Sequence, residues 1–231
     1  VQTTEHDEFC YHEMMVHVPM IAHGTVEKVL IIGGGDGGVL RETLKHPTVQ
    51  TTMIELDKTV VEICRKHMPS LSNGAFDNER ADLRFMDGIK FVKETTERFD
   101  IILVDSTDPI GPGEVLFTDD FYSDCARCLT ENGVLVTQSG VTFMQDEESR
   151  ATYRRMKRQF ADPSLYITQV PTYTAGFMTF GWGSHSTEPR QTTLNEIERR
   201  LAPLDLNTKY YTAAAHVASF TLPGYIEALK E

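Results

Sequence analysis

The chain has no run of apolar residues approaching the roughly 18 that a bilayer span requires, and no signal-peptide pattern. Those absences exclude a helical membrane protein and lead us to expect a cytoplasmic one. Positive charge is scarce: 22 Lys and Arg stand against 34 Asp and Glu, for a net charge of -12. Such a deficit argues against nucleic acid or an anionic membrane as partner and is compatible with a cationic small molecule. An acidic surface that serves only solubility is the plainer alternative. Cysteine is sparse too. Of the four, Cys125 and Cys128 form a C-x-x-C, but inside the helical pattern DDFYSDCARCL and with no second pair to complete a zinc site. All four are read as reduced structural thiols. There is no internal repeat and no initiator Met; Val1 begins inside VQTT, which reads as a strand, so a preceding piece is expected.

What is present is a regular alternation of elements. Strand-like runs occur at 28–32, 51–55, 83–86, 99–105 and 133–138, with helical patterns near 37–45, 57–67, 89–95 and 119–129 between them. Such alternation predicts an α/β fold with a parallel sheet and helices on both faces. Thr118 reads as the N-cap of the fourth helix, Asp119 and Asp120 as its acidic first turn, and Gly133 as its stop. A further helix, 147–160, is followed by LYITQV and GFMTFGWG joined through PTYTA, which reads as a hairpin. A parallel sheet closing in an antiparallel pair is the Rossmann-like arrangement of class I methyltransferases. We divide the chain into a leading segment, 1–27, a nucleoside-binding catalytic domain, 28–183, and a linker with C-terminal helices, 184–231, packed on that domain.

Within VLIIGGGDGG, Gly33, Gly35 and Gly38 meet the G-x-G-x-x-G spacing that brings backbone close to a nucleotide at a helix N-terminus. Asp36 stands where a phosphate-binding loop would be electropositive. A pyrophosphate is repelled there and a cation welcomed. Ligands of open α/β sheets sit beyond the carboxyl ends of the strands. That rule gathers Asp36, Glu55, Asp57, Asp87 with Gly88, Asp105, Asp108 and Gln138. Glu55 lies 17 residues beyond Gly38, close to where an acid accepts from ribose hydroxyls. A surface acid at a strand end is the alternative, as turn chemistry is for Asp87. Asp105 is more telling, because an acid that ends the apolar strand FDIILVD needs a partner or a role. Asp108 and the stiff Pro109–Gly113 loop follow it, although Asx-turn chemistry alone accounts for Asp108-Pro109.

One arrangement is rejected. His12-Glu13 and His17 mimic a zinc-protease helix, but five positions separate the histidines. At about 100° per residue they point roughly 140° apart and cannot share a metal. We expect no metal site.

The runs VQTTEHDEFCYHEMM, IIGGGDGG, VDSTDPIGPG, QSG and PTY resemble the spermidine synthases, aminopropyltransferases of polyamine synthesis, across nearly the whole chain. The resemblance implies transfer of an aminopropyl group from decarboxylated S-adenosylmethionine, a co-substrate, to putrescine, giving spermidine and methylthioadenosine, with no permanently bound cofactor. It implies that Asp105 accepts the proton. Tyr11, His12, Asp36, Asp105, Ser106, Thr107, Asp108 and Tyr173 would hold the polyamine. Gly33, Gly35, Asp36, Glu55, Asp87, Gly88 and Pro112 would hold the donor. It further implies a homodimer and a small N-terminal β-domain ahead of VQTT, absent here. Two positions depart from the pattern: His12 stands where many members carry Gln, and TYTAG replaces TYPSG. Both touch the choice of acceptor. A diamine N-methyltransferase using S-adenosylmethionine and a silent polyamine-binding module remain open. A nicotinamide dehydrogenase fits less well, given Asp36 and the closing hairpin.

Overall fold

The computed structural model describes residues 2–106 and 118–231. Seven strands form one sheet in the order β3-β2-β1-β4-β5-β7-β6. They are β1 Lys28–Gly33, β2 Gln50–Glu55, β3 Ala81–Phe85, β4 Phe99–Asp105, β5 Leu129–Val141, β6 Asp162–Thr168 and β7 Met178–Ser184. The first five run parallel, and β7 joins β5 and β6 antiparallel. The predicted closing hairpin is thus present, as β6 and β7.

The central strands are apolar throughout because helices cover both faces of the sheet. Successive residues alternate between two cores. Val29, Ile31, Ile101, Leu103, Val134 and Val136 point into one; Leu30, Ile32, Ile102, Val104 and Leu135 point into the other. The first core is roofed by α1 (Phe9–His23) and α2 (Gly38–Leu44), the second by α5 (Gly88–Glu94) and α6 (Asp119–Arg127). Helix α1 is buried from Cys10 to Ala22 on every side, Pro19 included, as a central helix must be. Helices α3 (Lys58–His67), α4 (Pro69–Ser72) and α7 (Asp146–Gln159) complete the layers, and α8 (Leu194–Leu201), α9 (Ala213–Ser219) and α10 (Gly224–Glu227) follow the sheet. No helix among the described residues is long and apolar enough to cross a membrane.

Two expectations are corrected and one element is added. Residues 2–4 form no strand, since no neighbouring strand pairs with them among the described residues. Gly133 does not stop α6: the helix ends at Arg127, and Gly133 lies within β5, which begins at Leu129. Helix α9, capped by the Thr212 hydroxyl, went unread because AAAHVAS carries no apolar stripe. Thr118 does cap α6, accepting from the Phe121 N–H.

Candidate active site

The strand order reverses between β1 and β4, and the register there sets Gly33 beside Asp105. The chain therefore delivers the glycine turn and the strand-ending acid to one point, at the carboxyl edge where α/β sheets bind ligands. Gly33, at φ +84, allows this: a side chain would strike the Asp105 carbonyl oxygen at 2.1 Å. That carbonyl instead accepts from the Gly34 N–H at 2.9 Å.

A cavity of about 570 Å³ opens at this edge, well within the range of small-molecule sites. It brings together Tyr11 and His12 from α1, Gly33, Gly35 and Asp36 after β1, and Glu55 ending β2. Asp87 and Gly88 open α5, Asp105 and Ser106 leave β4, and Tyr173 lies between β6 and β7; all five line it as well. Thr107, Asp108 and Pro112 lie outside the described residues.

Hydrogen bonds give these groups fixed directions. The Tyr11 hydroxyl donates to Asp105 Oδ1 at 2.7 Å. Asp36 Oδ1 accepts from the Gly38 N–H at 2.8 Å, at the start of α2, and its Oδ2 lies 3.4 Å from His12 Nε2. The other ring nitrogen, His12 Nδ1, sits 2.6 Å from Glu8 Oε2. Glu55 Oε1 accepts from the Asp57 N–H at 2.9 Å, and Asp87 caps α5 through the Ile89 N–H. Gly38, the third glycine of the motif, serves the histidine: a Cβ there would stand 2.2 Å from the His12 ring. Tyr173 reaches the chain start, donating to the Gln2 carbonyl at 2.5 Å.

The electrostatics follow from this geometry. Burial pushes the Asp105 carboxyl up, the charge of Asp36 adds to it, and together they outweigh His12 and the Tyr11 hydroxyl to bring it to about 6. Burial alone would depress His12, but Asp36, Glu8 and Asp105 override it and hold the imidazolium to about 10. Burial likewise opposes ionisation of Asp36, yet His12 and the Gly38 N–H keep it below the usual carboxylate range. Glu55 is pushed up by burial.

His12, Asp36 and Asp105 present polar atoms within 4.8 Å of one another. A protonated His12 has no lone pair to give a metal, so the cluster suits an organic ammonium better. Glu8, Asp7, Thr172 and Gln145 also line the cavity and were not singled out from sequence. Only Glu8 left a readable trace, its i,i+4 spacing to His12.

With fold and site in view, comparison with known proteins is decisive. The spermine/spermidine synthase domain matches residues 8–195. The chain belongs to the spermine/spermidine synthase family. It is 54% identical over 230 residues to a polyamine aminopropyltransferase of Ruegeria sp., covering 99% of this chain and 81% of that one. It is 53% identical to polyamine aminopropyltransferase 1 of Pseudomonas aeruginosa, with 98% and 79% covered. A crystal structure of spermidine synthase in complex with the transition-state analogue AdoDATO superposes with a TM-score of 0.92 at 38% identity, covering 99% of this chain and 77% of that one. For the spermidine synthase of Thermotoga maritima the TM-score is 0.88 at 36% identity, over 99% and 76%. The chain is thus a transferase of the aminopropyl-transferring kind, and the expected Rossmann-like, methyltransferase-type fold is the fold observed.

Proposed function

We propose that the protein moves the aminopropyl group of decarboxylated S-adenosylmethionine to putrescine, releasing spermidine, methylthioadenosine and a proton. The observation that carries this reading is the convergence of Asp36, Asp105, Tyr11 and His12 on a single cavity that Glu55 and Asp87 line as well. Glu55 is the group for the ribose hydroxyls and Asp87-Gly88 for the adenine. The cluster of Asp36, Asp105, Tyr11 and His12 takes the aminopropyl chain and the acceptor.

The difficulty of the reaction lies in the acceptor. A primary amine with a Lys-like pKa near 10.4 must expose its lone pair, which at pH 7 costs roughly 4.6 kcal/mol. The amine nitrogen attacks the carbon next to sulfur, the C–S bond breaks, and the sulfonium becomes a neutral thioether. Asp105 takes the amine proton as the lone pair is freed. An ordinary Asp near 3.8 would be about 6.6 units less basic than the amine. At about 6, Asp105 narrows the gap to about 4.4 units, making the transfer about 3 kcal/mol less uphill. The same burial that makes Asp105 costly to ionise makes it a better base. Tyr11 fixes one carboxylate oxygen and leaves the other for the substrate. Alignment of nitrogen, carbon and sulfur supplies much of the remaining rate.

The test is product mass. Putrescine incubated with each of the two sulfonium donors should gain an aminopropyl unit from the decarboxylated one and nothing from S-adenosylmethionine. Gain of a methyl group would replace the proposal with an N-methyltransferase, and tight spermidine binding without turnover with a silent binding module.

A further inference from the structure

Glu8 lines the cavity beside His12 and is closely built into the site. Its Oε2 receives His12 Nδ1 at 2.6 Å and the Arg41 guanidinium at 2.8 Å. Arg41 is itself anchored, donating to the Leu71 carbonyl at 2.6 Å and to Glu42 Oε1 at 2.8 Å. On the far side of the ring, Asp36 waits 3.4 Å from Nε2, and the bare Gly38 lets the ring lie flush against the start of α2.

We propose that Glu8 is a positioning residue that, by gripping Nδ1, keeps His12 an imidazolium with its Nε2–H aimed at Asp36, and so sets how much negative charge the amine site presents. The inference rests on the aminopropyl-transfer reading of the cavity. Carboxylates on both ring nitrogens admit one form that satisfies both, the doubly protonated ring. The charged groups facing that ring are Glu8 from its own side, Asp36 from the glycine turn, Asp105 from β4 and Arg41 from α2. The Tyr11 ring meets it edge-on, with centroids 5.4 Å apart. Around the ring three carboxylates meet two cations, one of which, Arg41, also serves Glu42, so the amine site stays net negative. Without Glu8, Arg41 would confront the imidazolium with nothing between them. The ring would hold its proton less tightly, and the mutual repulsion of Asp36 and Asp105 would be less relieved. Asp105 would then hold its own proton to higher pH and serve as a base over a narrower range.

The experiment uses the Glu8→Gln variant, whose amide oxygen still accepts from Nδ1–H but carries no charge, with Glu8→Asp as the charge-retaining partner. His12 is followed by NMR titration of its ring carbons in the ligand-free protein, and kcat/KM is measured across pH. In the Gln variant the His12 midpoint should fall by about 2 units or more, as loss of a contacting opposite charge requires. The acid limb of kcat/KM should move up by about one unit. The Asp variant should fall between the two proteins. An unchanged His12 midpoint in the Gln variant would overturn the proposal, as would activity lowered equally at every pH. If the wild-type protein transfers no aminopropyl group, the transfer reading fails while the NMR titration still decides the role of Glu8.

Discussion

Two histidine-centred clusters hang from the same helix and treat their histidines differently. His12 faces the cavity between Glu8 and Asp36 and is held protonated. Five positions on, His17 faces the other way into a dry pocket, with Nδ1 3.1 Å from His46 and Nε2 2.9 Å from Glu42. There burial, joined by the charge of His17, drives His46 down to about 3. Burial drives His216, bonded to the Tyr211 hydroxyl at 2.8 Å, down to about 4. Glu42 stays ionised against its burial through His17 and Lys45, with its carboxyl lowered to about 2. Carboxylates on both sides make His12 a fixed cation, while burial keeps His46, beside another histidine, and His216, beside a tyrosine, neutral. The angular offset that rules out a shared metal is what lets one helix serve both ends.

Substitutions can break this contrast. Glu42→Gln should strike stability hardest, by about 3–5 kcal/mol in urea unfolding, because it strips a buried pair of one partner. Asp105→Asn should do the reverse. Methylthioadenosine release should drop by roughly 10³-fold with loss of the base, while unfolding stability at pH 7 holds or rises because an unfavourably buried charge is gone. A large stability loss in Asp105→Asn would erase the distinction between the two regions. Asp36→Asn should cost about 10–100-fold in kcat/KM for the decarboxylated donor and narrow its preference over S-adenosylmethionine, whose extra carboxylate Asp36 repels. Unchanged discrimination in a competition assay would remove that role.

The smallest effect is a pair of opposed slopes in stability against pH. His46 and His216 are neutral in the folded state, so the unfolded chain binds more protons between about pH 6.5 and 4, and stability should fall as pH drops through that window. His12 carries the opposite sign. Its contribution is full below about 6.5 and should be lost as pH rises through about 10. Denaturation midpoints across pH check both limbs, and a Glu8→Gln variant should lose the alkaline one first.

How much of this was legible in the residues depended on range. The strands at 28–32 and 99–105 were readable because burial on both faces leaves β-branched runs without polar breaks. Asp105 was readable because an acid at the end of such a run is out of place, and Asp36 because it contradicts the phosphate chemistry of its own loop. Glu8 was readable only as the i,i+4 neighbour of His12, since the rest of its meaning lies in Arg41, 33 positions away. Glu13 was seen only as part of a false metal motif. Its carboxylate accepts three N–H groups from Lys209, Tyr210 and Tyr211, each at 2.8 Å, and pins the C-terminal segment to α1. Such contacts leave no local pattern. The turn chemistry of Gly133 misled for the converse reason: a glycine near a helix end looks the same whether it stops the helix or lets a strand begin.

Next to the cavity, the start of the chain is tied to the end of β6 and the segment that follows it. The Thr172 N–H reaches Asp7 Oδ2 at 2.7 Å, the Thr168 hydroxyl reaches the Cys10 carbonyl at 2.8 Å, and Tyr173 reaches Gln2. Some 160 residues of chain must be in place before those stitches close. A half-formed molecule, even one with its central strands aligned, would lack the part of the cavity wall that Val170, Thr172, Tyr173 and Met178 supply. Occupancy can stabilise only the finished protein, so the ligands act as a clasp on the completed chain.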